Sequence, residues 1–127
     1  MRFCTVVNCM DGRVQLPVIR FLQQRFDVDY VDSITEPGPN LILYKQKDHG
    51  LLRSILARLE ISIKNHGSVG IAVVGHAQCA GNPCGKDEQI THIRGAMRFL
   101  RQQYDGVEVI GIWVDENRQP HEISLKD

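Results

Sequence analysis

Two short stretches hold most of the reactive side chains of this 127-residue chain: Cys9-Met10-Asp11-Gly12-Arg13 and His76-Ala77-Gln78-Cys79. The thiols of Cys9 and Cys79 with the imidazole of His76 make a borderline-soft donor set that suits Zn²⁺ in tetrahedral geometry. Three protein ligands leave a fourth position for a water or a nearby carboxylate. Asp11 is the obvious carboxylate, and Arg13, two residues on, can hold it through a charge-assisted pair. While Arg13 holds Asp11 off the metal, a water can bind zinc and donate a hydrogen bond to the carboxylate. If Asp11 swings onto the metal, the open position is gone. Zinc with two thiolates and a neutral imidazole carries no net charge and acidifies water less than a three-histidine zinc. An Asp11 anchored by Arg13 is the feature that would favour hydroxide, so any activity is expected to rise above neutral pH.

Two further cysteines have other readings. Cys4 lies inside an apolar run and reads as a small buried hydrophobe. Cys84 follows Cys79 by five residues in GNPCGKD; it is a loop thiol by default, with a fourth zinc ligand as the alternative, which would close the site and make the metal structural. His49, His66, His92 and His121 sit at expected helix ends or on polar faces and read as surface residues, one of which could shuttle protons. Other chemistries lack their residues. The Cys9 to Arg13 spacing is too short for a phosphatase-type cysteine loop, no glycine-rich nucleotide fingerprint follows a strand, and there is no C-x-x-C pair for thiol redox work.

These motifs need strands to carry them. Residues 2 to 8 form a short β-branched run that reads as a buried strand ending at Cys9. Leu16, Ile19, Leu22 and Phe26 recur at helical spacing behind Pro17. Residues 28 to 34 predict a second strand, and TEPGPN after them a loop. From about 46 to 66, Leu52, Leu56, Leu59 and Ile63 predict a helix that Gly67 stops. VGIAVVGH is a continuous apolar run of parallel-strand type ending at His76. Ile90, Ile93, Met97, Leu100 and Tyr104 mark another helix, with Arg94, Arg98 and Arg101 on a solvated face. VEVIGIWVD is a fourth strand, and a short last strand is expected around 121 to 124. Alternating strands and helices predict an α/β fold: a mainly parallel four-stranded sheet flanked by helices in three layers, with a short antiparallel edge strand, as one domain over residues 1–127. In such sheets ligands bind beyond the carboxyl ends of the strands. If the first and third strands are neighbours, their ends lie about 5 Å apart, and Cys9, His76 and Cys79 can meet.

Composition narrows the function further. Fifteen basic residues balance fifteen acidic ones and the pI is near 7, so the field that would gather nucleic acid or an anionic membrane is missing. No run approaches the roughly 18 apolar residues of a membrane span, and the N-terminus lacks a signal-peptide pattern. A cytoplasmic protein with reduced cysteines is expected. So short a sheet leaves edges and helices to cover, which favours a homodimer.

The motif pair resembles the β-class carbonic anhydrases, whose signature is Cys-x-Asp-x-Arg after the first strand and His-x-x-Cys after the third. LEISIKNHGSVGIAVVGH and VIGIWVDENRQPHEI are similar to further segments of that family. The resemblance implies a zinc-dependent lyase, a carbonate dehydratase in which metal-bound hydroxide hydrates carbon dioxide to bicarbonate. It also implies dimers or multiples of dimers with the site near the subunit interface. The chain departs from the family in starting at the first strand, in Gly12 for a common serine, and in Ala80 ahead of Gly81. Where the family often has an Arg-Asn-Ala-Gly type loop, this chain has Glu36-Pro37-Gly38-Pro39-Asn40. The loop departure bears on the substrate pocket more than on the metal, and the alternative is a zinc relative acting on carbonyl sulfide or carbon disulfide, or a non-catalytic zinc-binding module.

Overall fold

The computed structural model describes residues 1–125. Five strands form one sheet in the order β2-β1-β3-β4-β5. They are β1 (Phe3–Cys9), β2 (Tyr30–Glu36), β3 (Gly70–His76), β4 (Glu108–Val114) and β5 (Pro120–Ile123). The first four run parallel and β5 pairs antiparallel with β4. This is the expected α/β architecture, with the antiparallel strand at the edge.

The sheet is buried on both faces because its central strands carry apolar side chains in both directions. Within β3, alternate residues point to opposite faces. Ile71 and Val73 pack with Leu43, Leu59, Ile93 and Leu100 on one side. Ala72 and Val74 pack with Val14, Val18 and Leu22 on the other. Helix α1 (Gln15–Arg25) covers the second face, whereas α2 (Pro39–Lys45), α3 (His49–Glu60) and α4 (Lys86–Gln103) supply the first. A fully buried Leu or Ile such as Leu59 or Ile93 contributes about 1.5–3 kcal/mol relative to exposure.

Several details differ from the sequence reading. Helix α1 buries Val18 and Leu22, with Val14 just before it, while Leu16 stays 59% exposed and Ile19 is half-buried. The buried stripe thus starts two residues earlier than the spacing of Leu16 and Ile19 suggested. Helix α2 begins within the expected 35–40 loop, at Pro39, and runs on through residues 41–45, which the sequence pattern leaves unassigned. Gly38, in the left-handed region at φ 60°, precedes it and Pro39 fills its first turn, where a missing N–H costs least. The helix expected from 46 begins only at His49, after Asp48 accepts the amide of Leu51 at 3.1 Å. Its last turn widens into a π-helical turn over Ile61–Asn65.

The solvated-face reading holds for Arg98 and Arg101. Arg94 is half-buried and donates its Nε to the carbonyl of Ser124 at 3.1 Å. His49, His66 and His121 are exposed as expected, but His92 is half-buried and its Nδ1 lies 2.9 Å from Asn82 Nδ2. No helix among the described residues is long and apolar enough to cross a membrane.

Candidate metal centre

Because β1 and β3 are neighbours and parallel, Cys9 and His76, the last residue of each, finish at the same sheet end. Cys79 returns to that end from the turn after β3. One ligand atom each from Cys9, His76 and Cys79 lies within 4.8 Å of the others, and all three residues are buried. The two sulfurs are 3.9 Å apart. A disulfide would need about 2.0 Å, whereas two Zn–S bonds of about 2.3 Å at a tetrahedral angle span about 3.8 Å.

The imidazole completes the fit. His76 Nδ1 lies 2.8 Å from the carbonyl of Ala77, a bond that needs the proton on Nδ1 and leaves a lone pair on Nε2. That Nε2 is buried and has no hydrogen-bond partner. A buried nitrogen without a partner calls for an occupant, and a metal ion is one that a deprotonated Nε2 can bind.

The sulfurs also have anion-stabilising surroundings. The Cys9 thiol is pulled down from its ordinary value, chiefly by hydrogen bonding with Cys79, against the effect of burial and with help from His76 and the amides of Gly38 and Asp11. Cys79 is pushed up by its bond to Cys9 and by burial, while the amides of Asn82 and Gly81 pull the other way. The pair therefore releases one proton readily and holds the other. Nearby backbone amides are what metal thiolates use to spread their charge.

Asp11 and Cys84 stand outside the group of three. The Cys84 thiol instead donates to Asn82 Oδ1 at 3.2 Å. Asp11 is held by Arg13, whose Nη2 donates to Oδ2 at 2.6 Å and whose Nε donates to Oδ1 at 3.0 Å, while the Arg13 amide adds a bond to Oδ1 at 2.9 Å. These bonds keep the Asp11 carboxyl well below the usual carboxylate range. Arg13 also crosses to the second motif, donating to the Gln78 carbonyl at 3.3 Å and to its Oε1 at 3.4 Å.

Behind the motifs lies a layer of amides that the sequence reading did not single out. Asn8 accepts the Cys9 amide at 2.8 Å and donates to the Val14 carbonyl at 3.1 Å. Gln15 donates to the carbonyls of Cys9 and Asp11 at 2.7 and 3.0 Å. On the other side, the wholly buried Gln89 of α4 donates to the carbonyls of His76 and Asn82 at 3.2 and 2.8 Å and accepts from Asn40 at 2.7 Å. This ties the first turn of α2 and the 79–82 loop to one helix. The two loops touch backbone to backbone: a Cβ on Gly81 would fall 2.4 Å from the Pro37 carbonyl carbon, so only glycine fits there. The one sequence signal for this layer was polar side chains, Asn8 above all, closing apolar runs.

Comparisons with known proteins agree with this geometry. A family model described as "Putative carbonic anhydrase" matches residues 1–124. No curated protein sequence matches the chain. Among solved structures, the β-carbonic anhydrase CafA of Aspergillus fumigatus superposes with a TM-score of 0.56 at 12% identity, over 97% of this chain and 76% of that one. A tetrameric β-carbonic anhydrase from Sordaria macrospora gives 0.59 at 14% identity, over 94% and 80%. A carbonic anhydrase from Glaciozyma antarctica gives 0.56 at 14%, over 95% and 81%. At these identities the likeness is one of fold.

Proposed function

The chain belongs to the carbonic anhydrase family whose model spans almost all of it, and from that premise we propose that it is a zinc-dependent lyase, a carbonate dehydratase that converts carbon dioxide and water to bicarbonate. The observation that carries this reading is the convergence of Cys9, His76 and Cys79 beside a carboxylate already held by an arginine. In it, Cys9, His76 and Cys79 hold the metal, and the whole chain acts as one zinc domain. Zinc bound there supplies Lewis acidity, which makes water a nucleophile near neutral pH.

The protein's own groups do the rest. His76 stays in one tautomer because Ala77 accepts its Nδ1–H. Arg13 keeps Asp11 ionised and turned toward itself, so the carboxylate can accept a proton-bearing donor at the open side of the cluster without taking a ligand position. Gln78, bound by Arg13 at both its carbonyls, fixes the distance between the dyad and the Cys79 turn. The buried sulfurs and imidazole keep bulk water out, which strengthens each of these charged contacts.

We further place the protein in the cytoplasm, where its free thiols stay reduced, and assign it a homodimer. The outer side of β2 is a free sheet edge, and Met10 and Leu16, close to the motif turn, are 63% and 59% exposed, apolar surface that a second copy would cover. The small neutral substrate fits a chain with no net charge.

The test is stopped-flow carbon dioxide hydration between pH 7 and 9 on protein of measured metal content. Turnover that rises with pH supports the reading. A zinc-replete protein without turnover rejects it and turns attention to carbonyl sulfide, carbon disulfide or a non-catalytic role.

A further inference from the structure

Two buried side-chain nitrogens among the described residues have no hydrogen-bond partner. One is His76 Nε2; the other is Nη1 of Arg118. The first is a lone pair and asks for a cation. The second is a donor on a permanent cation and asks for an anion.

Arg118 sits in the turn between β4 and β5, where its amide donates to the Asp115 carbonyl at 3.0 Å. Its other terminal nitrogen, Nη2, donates to Gln78 Oε1 at 3.1 Å. That acceptor is neutral, and no carboxylate among the described residues forms an ion pair with Arg118. The nearby Asp115 is already engaged: it accepts His121 Nε2 and the amides of Asn117 and Gln119. A guanidinium held by a neutral oxygen, with one N–H buried and unmet, is an incomplete fork, because arginine's planar donor set matches an oxyanion at two points.

The surroundings point the same way. Arg118 lines a cleft of about 430 Å³ between α1 and the β4–β5 turn, together with Arg20, Gln24 and Gln119 and the apolar Phe21 and Pro120. None of the residues lining it is acidic. Arg20 also has no ion pair among the described residues, so the cleft gathers two uncompensated guanidiniums, two side-chain amides and the apolar Pro17, Phe21 and Pro120. A few charged and polar donors set among apolar side chains are the usual make-up of a small-molecule site.

We propose that this cleft binds a small molecule through an oxyanion head, a phosphate or a carboxylate, gripped by Arg118 and Arg20. The site is separate from the metal ligands and does not depend on the catalytic reading.

The test is isothermal titration calorimetry at fixed ionic strength on the protein with its metal, using inorganic phosphate, acetate and bicarbonate in separate arms. Saturable binding is expected, weakened about tenfold or more by Arg118→Gln and by Arg20→Gln and unchanged by Arg101→Gln on the exposed face of α4. Cys79→Ser should retain it even if that variant loses metal. Tighter phosphate identifies a phosphate-bearing ligand, and tighter acetate or bicarbonate a carboxylate-bearing one. Should Arg118→Gln fail to fold, Arg20→Gln, on the surface of α1, decides alone. Absence of saturation with all three anions overturns the proposal. So does binding that both cleft variants leave intact, or binding that disappears with the metal alone, which would put the anion on the metal.

Discussion

His76 gives its Nδ1–H to the carbonyl of Ala77, the next residue in the chain, at 2.8 Å, and so leaves Nε2 without a partner beside the sulfurs of Cys9 and Cys79. The tautomer needed for metal binding is set by the backbone rather than by a second side chain. It follows that ligand loss and fold loss are linked here. Cys9→Ser and Cys79→Ser should each lower zinc content and thermal stability together, since a metal bound only by the native state stabilises that state. Metal analysis alongside thermal unfolding checks this, and unchanged stoichiometry in both variants would reject the ligand assignment.

The Asp11–Arg13 pair makes a separable contribution. Arg13→Ala removes every side-chain donor that holds the Asp11 carboxylate but touches no sulfur or imidazole. Full zinc content is expected with hydration activity lowered by about 10²-fold or more, the usual scale for losing a positioned proton-handling group. Full activity in that variant would remove the dyad from the mechanism.

Gln89 bonds three other groups from a position with no exposure. Gln89→Leu keeps much of the volume but strands the carbonyls of His76 and Asn82 and the amide of Asn40. Leaving such buried groups unmet costs about 1–3 kcal/mol each, so denaturant unfolding should show a loss in that range or above. Zinc affinity, measured by chelator competition, should fall as well because the His76 and Cys79 segments lose their common anchor. A loss of stability with unaltered affinity would confine Gln89 to the fold.

Cys4 has a consequence at high pH. Burial, with the charge of Asp32, pushes its thiol up from an ordinary 9.0 to about 12. A native state that holds this proton longer than the unfolded state loses stability as pH rises above 9, at about 1.4 kcal/mol per pH unit, until the native thiol ionises too. Below pH 9 the effect is absent. Cys4→Ala should flatten this part of the stability curve in urea unfolding between pH 8 and 11, and an unaltered slope would refute the assignment.

The parallel order of the strands was legible because β3 and β4 are continuous apolar runs and the helices between them have clean spacing. The meeting of Cys9, His76 and Cys79 was legible because both motifs close such runs. Helix α2 was not, since a segment with Pro37, Gly38 and Pro39 reads as a loop until Gly38 adopts φ 60° and Pro39 takes the first helical turn. Leu16 misled because spacing alone does not say which of two apolar stripes faces the sheet; Val14 and Val18 took that place. The amide layer of Asn8, Gln15, Asn40, Asn82 and Gln89 was out of reach, as its members come from five separate segments and meet only after the sheet has formed. Arg118 was hidden for the same reason: nothing local shows that a turn residue reaches across to Gln78.

X-ray absorption at the zinc edge on protein purified without chelators tests directly whether Cys9, His76 and Cys79 hold zinc. One zinc per chain is expected, with two sulfur neighbours at about 2.3 Å and a histidine nitrogen at about 2.0 Å, the sulfur shell shrinking to one in Cys79→Ser. A metal-free chain, a shell of nitrogen and oxygen alone, or a third sulfur lost on replacing Cys84 would contradict it.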